Sequence, residues 1–309
     1  MDVGIGSDET RGGAPDADRA RSAWPLTCPV CHELLADFTR FLRCPRGHSF
    51  DRAREGYVDL LPTGHGRSGR AGDAPEMLRA RRRFLLRGHY DPLADAIIRH
   101  ASAHLAGATP AGASGGRVPV LLEVGCGEGF YIGRVTRALA PGQPAGIRSF
   151  GLDLSRAAVR LAARAYPEVF FFTNDVHHRI CMADASVDVL LDVFAPRDPG
   201  EFARVLRPDG LLLVAIPGER HIAELRSRHP LIGIEPHKRE RTMELLRPAF
   251  DTIAVEEIEH AIAPTPEDVA DLLHMTPSYW HLPPDVLAEP GPPPPHLTIA
   301  FHLLRFRRR

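Results

Sequence analysis

Residues 28–48 hold Cys28 and Cys31 two residues apart, Cys44 twelve residues later and His48 three beyond that. Thiolates and an imidazole are the ligands zinc gathers into a tetrahedron, and Cys3His is a standard structural set. Pro29, Pro45 and Gly47 shape the two turns, and "LADFTRFLR" between them reads as a hairpin. Chance would leave two buried thiols, an odd one and a surface histidine, with no reason for this spacing. His32 adjoins Cys31 and would strain the turn as a competing ligand. A unit this small cannot bury enough surface to fold alone, so a structural metal would supply its folding free energy.

A second constellation lies in "LLEVGCGEGFY". Gly125, Gly127 and Gly129 follow a buried strand and precede a helix. The spacing is G-x-G-x-G, not the G-x-G-x-x-G of dinucleotide binders. No phosphate-binding lysine follows, which disfavours ATP. Acidic Glu123 stands two residues before the first glycine. Asp153 ends the next strand in "FGLDLS", where a carboxylate can accept both hydroxyls of a ribose; alternatively it serves as a helix N-terminal charge beside Ser155. This constellation resembles class I S-adenosylmethionine methyltransferases. The resemblance implies that the glycines let the backbone approach the methionine end of the cofactor and that Glu123 orients that loop or its waters. It also implies that Asn174 and Asp175, at the end of the third strand, lie near the adenine. "DVFAP", after the fourth strand, is where such enzymes display their substrate-facing loop, and it contains Asp192.

The elements needed to hold these groups are legible. "VPVLLEVG", "IRSFGLDL", "EVFFFTND", "SVDVLLDVFA" and "GLLLVAIP" read as strands, alternating with helices such as "FYIGRVTRALA" and "SRAAVRLAARAY". That alternation predicts an α/β fold, a Rossmann-like, doubly wound and mostly parallel sheet. "HLTIAFHLLRF" reads as a closing antiparallel strand, and the proline-rich "LAEPGPPPPHL" before it as a turn. The organisation expected is a disordered tail over 1–23, a small zinc-binding module over 24–62, a linker and basic helix over 63–88, and a methyltransferase domain over 89–309. The chain has 309 residues and a net charge of −1, so it is not a generally basic nucleic-acid binder. No run of about 18 apolar residues occurs, so no membrane contact is expected. The first 22 residues lack the apolar segment of a signal peptide, and a cytoplasmic location is expected. Five cysteines, three of them in the opening motif, argue against a disulfide framework. Only one basic residue is a lysine, Lys238; a GC-rich genome explains that best, although arginine also grips phosphate bidentately.

From residue 25 to 305 the chain resembles the bacterial 23S rRNA (guanine-N1)-methyltransferases, a group that includes the actinomycete tylosin-resistance methyltransferase. The stretches that carry this are the zinc motif, "HSFDRAREGYVDLL", "GDAPEMLRARRRFLLRGHYDPLADAI", "LEVGCGEGFY", "RVLRPDGLLLVAIPGERHIAEL" and "LLHMTPSYWH". The proline-rich segment and "DVHHRICM" depart from the pattern and touch only the edge of the substrate pocket. The resemblance implies transfer of a methyl group from S-adenosylmethionine to guanine N1 in a 23S rRNA hairpin, with macrolide resistance as a context. It also implies that the zinc module and the larger domain hold the hairpin together. Arg79, Arg81, Arg82 and Arg83 are then candidates for phosphate contact, against a plain solvated helix face. Tyr279 and Trp280 are candidates for stacking a base, against ordinary core packing. Guanine N1 carries a proton that must leave, and Asp192 is the first carboxylate to test as the base; His177 and His178 are alternatives. A homodimer is left open. Two other readings are a zinc-bearing nucleic-acid-binding protein without catalysis and a methyltransferase for a small antibiotic.

Overall fold

The computed structural model describes residues 24–62, 73–108, 117–143 and 146–309. The expected tail over 1–23 and most of the linker lie outside them. The chain begins with a three-stranded antiparallel sheet, β1 (Ala36–Asp37), β2 (Phe41–Arg43) and β3 (Ser49–Asp51). It continues through β4 (Val58–Asp59), α1 (Pro75–Leu86), α2 (Asp91–Ala108), β5 (Val120–Val124), α3 (Phe130–Leu139), β6 (Arg148–Asp153), α4 (Arg156–Ala165) and β7 (Phe170–Thr173). Then come β8 (Val187–Val193), α5 (Pro199–Val205), β9 (Leu206–Pro217), α6 (Ala223–Arg226), α7 (Lys238–Leu246), β10 (Phe250–Ile262), α8 (Pro266–Met275), α9 (Pro284–Ala288) and β11 (Leu297–Arg308).

Eight of these strands form one sheet in the order β10-β11-β9-β8-β5-β6-β7-β4. The strands from β9 to β4 pair in parallel, and β11 runs antiparallel to both its neighbours. Every residue of β5, β7 and β8 is buried. That is why these strands read as unbroken apolar runs: helices cover both faces of a parallel sheet. One face packs Leu121, Val135, Tyr166, Phe171 and Phe301, and the other packs Leu122, Phe150, Phe172 and Leu190. Strand β11 does not close an edge as its place in the sequence suggests. It lies between β9 and β10, because all but its last residues are buried and need cover on both sides. Helix α9 runs to Ala288, into the start of the segment expected as a turn.

The opening unit is built into this core. Strand β4 pairs with β7 at the far edge of the sheet, and Leu60 N–H donates to Thr173 Oγ1 at 3.1 Å. The Trp24 ring meets Phe170 edge-on at 4.6 Å, and Leu26 and Val58 are fully buried beside Phe172. The stretch expected as a separate module over 24–62 thus shares its last strand with the large sheet. At the other end α1 packs on α8. Arg87 bridges Asp268 and Asp271, and Arg83 also reaches Asp271.

Candidate active site and metal centre

The two turns predicted around the cysteines form as expected. In the first, His32 N–H donates to the Cys28 carbonyl; in the second, Gly47 N–H donates to the Cys44 carbonyl, with Gly47 at φ 87°. They bring Cys31 Sγ to 3.6 Å from Cys44 Sγ, and His48 Nδ1 to 3.3 Å from Cys44 Sγ and 3.5 Å from Cys28 Sγ. All four ligand atoms lie within 4.8 Å of one another. A tetrahedron with Zn–S near 2.3 Å and Zn–N near 2.0 Å has edges of roughly 3.5–3.8 Å. The donor set and its spacing therefore fit zinc. His32 is not part of the cluster.

The second site lies at the carboxyl ends of the parallel strands, where open α/β sheets bind ligands. The loop after β5 holds Gly125 at φ 65° and Gly129 at φ 81°. A Cβ on Gly125 would come within 2.5 Å of Ala195 Cβ, and one on Gly129 within 2.9 Å of the Phe171 ring. Left-handed backbone and close neighbours both demand glycine here. Asp153 pins this loop: its carboxylate accepts Gly127 N–H at 2.9 Å and Ser155 N–H at 2.8 Å. Burial raises the Asp153 pKa, and those two amides oppose the rise. Glu123 is buried and accepts Ile132 N–H at 2.9 Å, so it orients the start of α3. Its pKa is pushed well up, first by burial. Asn174 accepts Cys181 N–H at 2.7 Å, and Asp175 accepts His177 N–H at 2.9 Å. These bonds shape the loop after β7.

Glu123, Gly125, Gly127, Asp153, Asn174 and Asp175 all line one cavity of about 670 Å³. Gly129 stands behind it as the N-cap of α3. The cavity continues past Phe194 towards Tyr90, His221 and Met275. Phe194 is held at φ 59° with 42% of its surface exposed, a strained setting for an aromatic residue. Glu128 Oε1 and the Tyr131 hydroxyl are buried there without hydrogen-bond partners among the described residues. Arg197 and Lys238 supply positive charge on the wall.

Comparison with known proteins gives concordant matches. A family model described as RlmA, N-terminal, fits residues 26–69, and one described as a methyltransferase domain fits residues 122–214. A putative 23S rRNA (guanine-N(1)-)-methyltransferase of Micromonospora griseorubida is 39% identical, over 91% of this chain and 97% of that protein. The 23S rRNA (guanine(748)-N(1))-methyltransferase of Streptomyces fradiae is 35% identical, over 91% of this chain and 96% of its own. The chain belongs to the 23S rRNA (guanine-N1)-methyltransferase family.

In this family member the cavity suits S-adenosylmethionine. The glycine loop, Asp153, Asn174, Asp175 and Val176 form one part of its lining. Asp192, the first carboxylate to test as a base, is not among the residues that line the cavity. Side chains alternate along β8, and Asp192 falls on the face of Leu190, while Val193 lines the cavity. It is fully buried, with one oxygen 3.1 Å from Arg197 and the other without a hydrogen-bond partner among the described residues. Burial pushes its pKa up to about 7 despite Arg197. His177 does line the cavity, whereas His178 pairs with Asp175. The four arginines of α1 also divide. Arg81 turns into the cavity, bound to Asp73 and to the Met275 carbonyl. Arg83 is held by Asp271, Arg79 lies outside paired with Glu76, and Arg82 is half-buried. Tyr279 rests on His274, and Trp280 is 55% exposed; both follow the cavity-lining Thr276–Ser278 stretch without entering it.

Sequence reasoning missed Tyr90, Glu128, Tyr131, His221, Arg197 and the role of Lys238. Phe194 alone had a signal, as the aromatic in "DVFAP". Nothing local marks the rest, since Tyr90 and His221 meet across 131 residues.

Proposed function

We propose that this chain transfers a methyl group from S-adenosylmethionine to N1 of one guanine in a hairpin loop of 23S rRNA. Full-length likeness to 23S rRNA (guanine-N1)-methyltransferases carries the reading. Guanine N1 lies on the Watson–Crick edge and is hidden in a duplex, so the target must be a loop or flipped base. Bound in the cavity, the cofactor supplies an electrophilic methyl group. Asp153 and the glycine loop orient its nucleoside and methionine ends; Asn174 and Asp175 border the adenine. Phe194 offers the splayed base an aromatic face. We place the RNA backbone against Arg197 and Lys238 at the wall and Arg79 and Arg82 on α1, with Tyr279 and Trp280 at the rim and the zinc unit gripping the hairpin. No helix among the described residues is long and apolar enough to cross a membrane, and action in the cytoplasm follows from the substrate. Macrolide self-resistance is the context we favour.

N1-methylation removes the central donor of the Watson–Crick edge, so reverse transcriptase halts one nucleotide before it. The expected result is one stop in 23S rRNA that requires both this protein and S-adenosylmethionine. A methylated small molecule without a stop would support an antibiotic substrate instead.

A further inference from the structure

The Tyr90 hydroxyl lies 3.0 Å from His221 Nε2, while His221 Nδ1 accepts the Ala300 N–H at 3.2 Å. A ring nitrogen that accepts carries no proton. The single proton of a neutral imidazole is then on Nε2, directed at the Tyr90 oxygen. Burial keeps the ring neutral, lowering the His221 pKa to about 3, with Arg226 and His260 adding to the effect. So His221 donates and Tyr90 accepts. The phenol keeps its own hydrogen, because burial raises its pKa. That hydrogen meets no acceptor among the described residues. Tyr90 and His221 both line the cavity, beside Phe194, so it is available to whatever the cavity holds.

The position of the pair says which ligand that is. The groups suited to the cofactor follow β5, β6 and β7. Phe194 follows β8, His221 follows β9, and the Phe301 of β11 packs 4.7 Å from the Tyr90 ring. The pair therefore faces the side of the cavity left for the base.

We propose that Tyr90, oriented by His221, donates a hydrogen bond to O6 of the target guanine, selecting guanine and making its N1 nucleophilic. This rests on the N1-methylation reading. When N1 loses its proton to solvent, the charge is shared with O6, and a fixed donor there stabilises it. The N1 electron pair then forms the bond to the methyl carbon. The carbon–sulfur bond breaks with its pair left on a neutral thioether, and the methylated base is neutral. Adenine presents an amino donor at the same place, so two donors would face each other and neither would be satisfied. Tyr90 touches the reacting base; His221 is a positioning residue. The charged and titratable groups around the pair are Arg81 on α1, Tyr131 on α3, Arg226 on α6 and His260 on β10.

The test is single-turnover methylation of protein-free 23S rRNA lacking the methyl group, at saturating S-adenosylmethionine. Tyr90→Phe should be slower by roughly 10²-fold at neutral pH, with the deficit shrinking as alkali removes the N1 proton. Cofactor affinity by calorimetry should be unchanged. His221→Phe should show the same alkaline shift, and the double variant should lose nothing beyond Tyr90→Phe, as expected of one unit. Nitrogen NMR of His221 should show an unprotonated Nδ1 and a protonated Nε2. Tyr90→Phe at the wild-type rate would overturn the proposal. So would a deficit that ignores pH and comes with lost cofactor binding, which marks a structural role. Wild-type protein that makes no N1-methylguanine would overturn the activity reading itself.

Discussion

Asp153 does two things with one carboxylate. It accepts the amides of Gly127 and Ser155, and it is part of the cavity lining. Asp153→Ala is expected to weaken S-adenosylmethionine binding by about 1.5–3 kcal/mol, roughly 10- to 150-fold, as charged hydrogen bonds are lost and the glycine loop is freed. Calorimetry checks it; unchanged affinity would remove Asp153 from the cofactor site. Residues of this kind were legible because their partners are close in sequence. Two thiols two residues apart, or three alternate glycines after a strand, are local signals. Asp192 shows a limit of local signals: period-2 alternation says that Asp192 and Val193 face opposite ways, but not which face holds the cavity. Arg81 shows the same limit, since helical spacing does not reveal that its guanidinium turns inward. The Tyr90–His221 contact could not be read at all, because only the completed sheet brings it together.

At the scale of elements, the clasp between α1 and α8 holds one wall of the cavity in place. Asp268 caps α8 through Thr265 and meets Arg87 and His89. Burial alone would raise its pKa, but the Thr265 amide, His89 and Arg87 outweigh burial and hold it below the ordinary aspartate value. A carboxylate depressed in the folded state contributes stability that is present above its unfolded pKa and lost as pH falls through the folded one. The α1–α8 clasp should therefore loosen in acid, below the usual aspartate range. Asp268→Asn should flatten the fall of the thermal midpoint with acid, and a slope identical to wild type would contradict this. At neutral pH, Arg87→Met should cost roughly 1.5–3 kcal/mol by leaving both aspartates short of a partner. The helices and strands themselves were readable from apolar period and capping residues. The slot taken by β11 was not, since strand order in a sheet is set by which buried faces need cover.

Across the whole molecule, the metal unit and the cofactor domain share a core. Trp24, Leu26 and Val58 pack on the same face of the sheet as Phe150 and Phe172. Stripping zinc, by a strong chelator or by Cys28→Ser, should therefore destabilise the whole chain. A loss of about 5 kcal/mol would lower the melting temperature by roughly 10–20 °C. Calorimetry with parallel metal analysis should show one lowered transition; two transitions, with the larger unmoved, would mean the units melt apart. The central place of β11 has a consequence for synthesis. A chain grows from its amino end, and β9 and β10 are made before the strand that belongs between them. Until β11 emerges, the nascent sheet has an open seam, and the Ala300 amide that sets the His221 proton is missing. A protein aimed at ribosomal RNA thus stays incomplete while those residues are still inside the ribosome that makes it, and gains its working shape only after they have been delivered.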